Sequence, residues 1–283
     1  MSDKILVIGE APAWQWNLFY STAAKKLGFE TIDLDPTKLT FTIGKGDSVN
    51  FCKDEDLIKS AKYIVFLAEK YEHLYYLLTL SLNKSHRILN GSAILKYPTF
   101  SNKFIQSILI GNIGDFIPQT QFNYNREYSI NNYPAIIKKV TGCAGTGVYK
   151  IDTIDASKQL LSEVKEDVLV QDFIPSKVES VDYRAIYLDN KIIRCVKRFI
   201  KEGSFKGNNT KSIEIFDLDG LFVEQLKNIA TALSIDFCAF DFQIIDNKLY
   251  IYEINRFPYF SKVNEAYGNN LAEDVLNFLI RTK

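Results

Sequence analysis

Apolar residues fall along the chain in two textures. The first opens at Lys4-Ile5-Leu6-Val7-Ile8-Gly9, a continuous apolar run closed by glycine, which predicts a parallel strand buried on both faces. A helix is expected over Trp14–Leu27 with Gly28 as its stop, then a strand over Phe29–Leu34 and a helix over Asp54–Ala61. A strand over Tyr63–Leu67, a helix over Glu72–Leu82 and a short strand at Arg87-Ile88-Leu89 follow. Strand alternating with helix predicts a small parallel α/β domain over residues 1–98. Past Pro98 strands dominate, over Ala135–Lys139, Val168–Phe173, Tyr183–Leu188, Lys191–Phe199, Phe237–Ile245 and Lys248–Ile254. The last two are expected to pair antiparallel across Asp246-Asn247. Helices are expected over Ser101–Ile110, Asp219–Leu233 and Asn270–Ile280, so residues 99–283 form the second domain.

Composition narrows the class. The 283 residues carry 34 Lys+Arg against 34 Asp+Glu, a balance that argues against nucleic acid or a membrane surface as partner. An aromatic content of 13% excludes disorder. No apolar run approaches the roughly 20 residues of a membrane span, and Ile5–Ile8 is too short for a signal-peptide core, so the expected location is the cytoplasm. Cys52, Cys143, Cys195 and Cys238 lie far apart, which points to buried thiols and not to zinc or disulfides. His73 and His86 are the only histidines and read as structural or surface residues. Chemistry must therefore run on carboxylates, lysines, arginines and backbone. A dinucleotide site is excluded too: the turn Gly9-Glu10-Ala11-Pro12-Ala13 lacks GxGxxG, and Gly44-Lys45-Gly46 reads as a hairpin tip.

Three segments carry candidate chemistry. Lys138 ends a strand and leads into Gly142-Cys143-Ala144-Gly145-Thr146-Gly147, where glycines let backbone N–H groups converge on phosphate oxygens while the lysine adds a point charge. No GK[ST] closes the loop, so it is not a Walker loop, and a plain hairpin remains the competing reading. On neighbouring antiparallel strands, Asp241 and Gln243 share one face, as do Glu253 and Asn255. Two carboxylates and an amide oxygen form a hard-oxygen set suited to Mg²⁺; the competing reading is an acidic hairpin facing water. Asp182 with Arg184, and Arg194 with Arg198, make a charged strand pair that suits a polyphosphate or a solvated sheet face.

The order of these motifs resembles the RimK-type branch of the ATP-grasp enzymes over residues 98–283, with the first hundred residues similar in general character to the small α/β domain that precedes the grasp. The resemblance implies an α/β (α+β) ATP-grasp fold with an N-terminal pre-ATP-grasp domain, 1–98, and a grasp domain, 99–283, whose smaller lobe spans about 115–175. It implies that Lys103 and Lys138 contact ATP, that Gly142, Gly145 and Gly147 form a mobile flap, and that Gln171, Asp172, Phe173 and Ile174 lie in the adenine-binding hinge. It places Asp182 and Arg184 in the nucleotide site, Asn208 near the terminal phosphate and Arg198 facing the transferred group. Asp241, Glu253 and Asn255 match ligands of two Mg²⁺ ions, with Mn²⁺ an alternative.

The implied activity is ATP-dependent ligation of a carboxylate to an amine through an acylphosphate, the substrates being small molecules or peptides; a homo-oligomer is allowed. The rivals are a kinase-like phosphotransferase and a non-catalytic ATP-binding module. Two stretches depart from the family: Asn209-Thr210-Lys211-Ser212 runs straight on to Ile213, and Arg256-Phe257-Pro258-Tyr259-Phe260 is bulky where relatives have small residues. Both lie where an acceptor is expected to dock. The second also departs from the peptide macrocyclases of the superfamily, which lowers the standing of that assignment.

Overall fold

The computed structural model describes residues 3–9, 14–44, 49–51, 55–130, 132–142, 145–175, 180–207 and 209–281. The first hundred residues hold β1 (Lys4–Ile8), α1 (Trp14–Lys26), β2 (Glu30–Leu34), the hairpin β3 (Phe41–Ile43) and β4 (Val49–Phe51), α2 (Glu55–Ser60), β5 (Tyr63–Phe66), α3 (Glu72–Leu82), β6 (Arg87–Ile88) and α4 (Gly91–Lys96). β1 lies second in a parallel sheet of order β2-β1-β5-β6, and its Ile5 to Ile8 are fully buried, as its unbroken apolar run requires. α1 stops where expected, at Gly28, whose φ of +81° suits a residue without Cβ. β3 and β4 flank the expected hairpin tip, of which Lys45 and Gly46 lie outside the described residues.

A second, antiparallel sheet follows α5 (Lys103–Gly111). It contains β7 (Thr120–Phe122), β8 (Ala135–Lys139), β9 (Val148–Ile151), then α6 (Ile154–Glu163), and β10 (Val168–Asp172), in the order β7-β10-β8-β9. It has its own core of Ala135, Ile137, Ile151, Val164, Val168 and Val170. α6 was not among the expected helices. Thr153 caps it, Oγ1 accepting from the Ala156 N–H at 3.2 Å, and Ser157 packs inward.

The third sheet is antiparallel, with β11 (Val181–Leu188), β12 (Lys191–Ile200), β13 (Thr210–Ile215), then α7 (Gly220–Ala232), β14 (Phe237–Ile245) and β15 (Lys248–Asn255), in the order β13-β12-β11-β14-β15. The departing stretch Thr210–Ile215 is thus an edge strand on β12. α8 (Ser261–Tyr267) and α9 (Leu271–Arg281) close the chain. α7 covers one face through Phe222, Leu226 and Ile229 against Tyr187, Phe240 and Phe242. The other face shares one continuous core with the N-terminal sheet, where Ile186, Val196 and Ala239 meet Ile5, Val7, Tyr20, Val275 and Leu276.

Two sequence expectations are corrected here. Arg194 shares a strand face with Arg198 but turns away from the carboxylates, donating to Asn264 Oδ1 at 3.1 Å and Asp274 Oδ2 at 2.7 Å, so it fastens α8 and α9 to the sheet. Most of the bulky stretch after Asn255 is core and not an open loop, although the Tyr259 carbonyl accepts from Arg184 Nη1 at 3.0 Å. Phe257 is 3% exposed against Phe66 and Tyr75, Phe260 is 2% exposed against Phe19 and Tyr20, and only Tyr259 reaches the surface. These aromatics join the third sheet to the N-terminal one. Arg256, 3% exposed, completes the joint: it lies over the Phe100 ring and pairs with Glu72 at the start of α3. Cys195 and Cys238 are free and buried, while Cys52 and Cys143 lie outside the described residues. His73 is exposed and His86 rests on Ser85 Oγ at 2.8 Å.

Candidate active site

The β14–β15 register sets Asp241 directly opposite Glu253, with Asn255 opposite Ala239 on the same face. Like charges across a ladder repel, so both need cations. Asp241 receives a two-pronged guanidinium from Arg184, Nε to Oδ1 and Nη2 to Oδ2, each 2.7 Å, and Arg198 Nη2 approaches Oδ1 at 3.1 Å. Burial alone would raise the Asp241 carboxyl, but the two guanidiniums overcome it and hold it below its ordinary value. Arg198 is in turn gripped by Asp182, at 2.6 and 2.8 Å. Burial raises the Asp182 carboxyl against the pull of Arg198, while Arg198, despite burial, is raised by Asp241 and Asp182. Gly207 presses on this pair: a Cβ there would stand 2.1 Å from Asp182 Oδ2, so only glycine fits.

Cations reach Glu253 from the opposite side. Asn102 caps α5, its Oδ1 accepting from the Phe104 and Ile105 N–H groups, which aims Lys103 at the sheet. Lys103 Nζ lies 2.9 Å from Glu253 Oε1 and donates to the Gly142 carbonyl at 2.6 Å. Lys138, from the end of β8, is 9% exposed. Burial lowers its ammonium to about 8, with Glu253 and Asp241 drawing it up and Lys103 pushing it down. The glycine run links β8 to β9, with Gly142, Gly145 and Gly147 at φ of +120°, +70° and +71°, and Lys206 Nζ donates to the Gly145 carbonyl at 3.0 Å. Gly142 and Gly145, its described residues on either side of Cys143 and Ala144, are thus each held by a lysine.

At the end of β10, Gln171 is buried with Nε2 donating to Thr120 Oγ1 at 2.8 Å, and the Phe173 ring lies 4.8 Å from Lys150 Nζ. The Asp172 N–H donates to the Gln119 carbonyl, and the Ile174 carbonyl accepts from the Tyr252 hydroxyl at 3.3 Å. Asn255 Oδ1 accepts from the Phe257 N–H at 2.8 Å. Asn208 lies outside the described residues. The structure thus gathers Lys103, Lys138, Asp182, Arg184, Arg198, Asp241, Glu253 and Asn255, with Gly142 and Ile174 beside them.

Two residues escaped the sequence reading. Glu69 follows β5 at the carboxyl end of the parallel sheet, and burial, then the charge of Glu253, raise its carboxyl to about 7 against Lys103 and Arg256. Its signal was available, since ligands of open parallel sheets bind beyond the carboxyl ends of the strands. Tyr252 is the extra residue of a β-bulge between the Asp241–Glu253 and Phe242–Ile251 pairs, and no sequence pattern announces a bulge. Among the described residues no three of His, Cys, Asp and Glu could hold a metal ion on their own, and no helix is long and apolar enough to cross a membrane.

A profile of the RimK-like ATP-grasp domain matches residues 115–279. A probable alpha-L-glutamate ligase of Psychromonas ingrahamii is 26% identical over 156 residues, covering 53% of this chain and 51% of the relative. The chain thus spans about half the length of this curated relative. Among solved structures, the ATP-grasp ligase PsnB complexed with a minimal precursor superposes with a TM-score of 0.72 at 15% identity, covering 99% of both chains. The macrocyclase MdnC of Microcystis aeruginosa, bound with its precursor peptide, gives 0.67 at 13% identity over 99% of this chain and 100% of its own. At such identities the likeness is one of fold, and the fold is the ATP-grasp.

Proposed function

The chain belongs to the RimK-like ATP-grasp family, and from that premise we propose that it is an ADP-forming ligase joining a carboxylate to an amine. The observation that carries the reading is the meeting of Lys103 and Lys138 with the Arg184, Arg198, Asp241 and Glu253 network across the cleft between two sheets. A substrate carboxylate oxygen attacks the γ-phosphorus of ATP and ADP leaves with the bonding electrons. The amine nitrogen then attacks the acyl carbon, and inorganic phosphate departs. Lys103, Lys138 and Arg198 bear on the phosphates, with Arg198 held in place by Asp182; Asn208 belongs with them. The turn at 142–147 is the flap that keeps water from the acylphosphate, and 170–174 is the adenine hinge. Glu69 offers a carboxylate to the incoming ammonium.

Among the described residues, Lys103, Lys138, Arg184 and Arg198 stand against Asp182, Asp241, Glu253 and a Glu69 only partly ionised at neutral pH, which leaves the site little positive charge to spare. A polyphosphate entering it brings negative charge that further cations must offset. The donors present fit Mg²⁺. Three of roughly four acceptor positions on Asp241 are taken by guanidinium, Glu253 keeps its second oxygen, and the Asn255 carbonyl keeps one lone pair. Asp241, Glu253 and Asn255 would hold two such ions, or Mn²⁺ in their place. Held there, Mg²⁺ would supply positive charge to offset that of the phosphates.

The names of the relatives support an amino acid or peptide as substrate. A cytoplasmic setting, a division at residue 98 and a lobe at 115–175 belong to the same reading. The test is ADP and phosphate release with Mg²⁺-ATP across pairs of amino acids and short peptides, with mass spectrometry on each positive. A product lighter than its two substrates by one water supports the ligase; a phosphorylated substrate makes the protein a kinase, and nucleotide binding without release under any pairing opposes both.

A further inference from the structure

We propose that Tyr252 is a positioning residue of the nucleotide site, holding the hinge carbonyl at Ile174 and the Lys138 ammonium so that an adenine nucleotide is gripped at both its base and its phosphates. The inference rests on the ligase reading above, through its assignment of 170–174 to the base and Lys138 to the phosphates.

Strand geometry is the starting point. Leu249 and Ile251 point into the core beneath α7, and so does Ile254. Strict alternation outward from Ile251 would send Glu253 into that core, and alternation back from Ile254 would send Tyr252 there. The register shift between Asp241 and Phe242 absorbs one residue of β15, which lets Tyr252 and Glu253, though adjacent, both face the cleft. The bulge therefore adds an aromatic side chain to the cleft without displacing the carboxylate opposite Asp241.

That side chain touches the two parts of the cleft that the nucleotide's ends would occupy. Its hydroxyl donates to the Ile174 carbonyl at 3.3 Å, and its ring centroid lies 5.8 Å from Lys138 Nζ. A carbonyl oxygen carries two lone pairs, so Tyr252 fixes the carbonyl's direction while leaving the second for a donor such as the 6-amino group of adenine. The ring offers its face to the buried Lys138 ammonium. A leucine would fill the space but do neither task, and a phenylalanine would do only the second.

The experiment measures the Kd of the full chain for ATP and for ITP, each with Mg²⁺, by calorimetry, for wild type, Tyr252→Phe and Tyr252→Leu, with melting curves to confirm folding. ITP carries an oxygen where ATP carries the 6-amino group. Tyr252→Phe should weaken ATP about two- to tenfold, the worth of one hydrogen bond, and narrow the preference for ATP over ITP. Tyr252→Leu should weaken both nucleotides a further severalfold by removing the ring from Lys138. Wild-type Kd values and preference in Tyr252→Phe would overturn the proposal, and so would equal losses on ATP and ITP, which a merely structural role produces. If Tyr252→Leu fails to fold, the nearly isosteric Tyr252→Phe still decides. A wild-type chain that binds neither nucleotide would instead bring down the ligase reading beneath it.

Discussion

Lys138 is held where a lysine is least comfortable, which yields a prediction of opposite sign for stability and for binding. Its ammonium stands at about 8, against an ordinary value of 10.5, because burial outweighs the attraction of Glu253. At about 1.4 kcal/mol per tenfold, that difference means the charged side chain opposes folding by about 3 kcal/mol at neutral pH. Methionine keeps the stem and sheds the charge, so Lys138→Met should stabilise the nucleotide-free protein by up to that amount, roughly 5–10 °C in melting temperature for a chain of this size. The same change should weaken ADP and ATP binding severalfold or more. The pH dependence has a definite sign. Between pH 8 and 10.5 the unfolded chain binds the proton that folded Lys138 has released, so wild-type stability gains from this residue as pH rises through that window, and below pH 8 the penalty is present in full. The variant lacks that gain. Urea denaturation at pH 7 and pH 10 without nucleotide, with calorimetric titration of Mg²⁺-ADP, checks all three. A variant no more stable than wild type at pH 7 would refute the burial argument, and wild-type affinity would remove Lys138 from the nucleotide site.

Other substitutions separate the engine from the scaffold. Glu253→Ala should abolish ATP turnover in a chain that still folds, with a lowered melting temperature because buried Lys103 loses its partner; retained turnover would rule out its metal role. Phe257→Ala should lower stability by about 3–5 kcal/mol in urea denaturation, since the ring is buried against Phe66 and Tyr75, and a loss below about 1 kcal/mol would deny that it joins the two sheets. Glu69→Gln should cut amide formation at least tenfold yet leave hydroxylamine, a small neutral nucleophile, able to trap the acylphosphate as hydroxamate. Equal loss of both products would place Glu69 in the ATP half-reaction instead.

Much of this architecture was legible because local chemistry and global fold agree in it. The apolar run Ile5–Ile8 has no reading other than a doubly covered strand, and the Asp246-Asn247 turn, both residues at positive φ, dictates the hairpin that brings Asp241 opposite Glu253. Helix ends were read one or two residues long because Asn102, Asp219 and Asn270 are caps whose side chains accept from the first turn. What stayed hidden depends on distant partners. Phe257 and Phe260 look like an altered acceptor loop until the N-terminal sheet is placed against them. Arg194 and Arg198 are indistinguishable along the strand, and it takes α8 and α9, with Asn264 and Asp274, to claim the first. The bulge at Tyr252 leaves no trace in the pattern, since either neighbouring register explains its apolar residues equally well.

The acylphosphate is the claim on which the rest depends, and oxygen tracing tests it most directly. A carboxylate substrate found in the pairwise screen is labelled with ¹⁸O in both carboxylate oxygens, and the released inorganic phosphate is analysed by mass spectrometry. Attack of the carboxylate on the γ-phosphorus followed by amine attack on carbon predicts one ¹⁸O in each phosphate and one in each amide. Unlabelled phosphate, with the label retained in an unligated or phosphorylated product, would contradict the ligase.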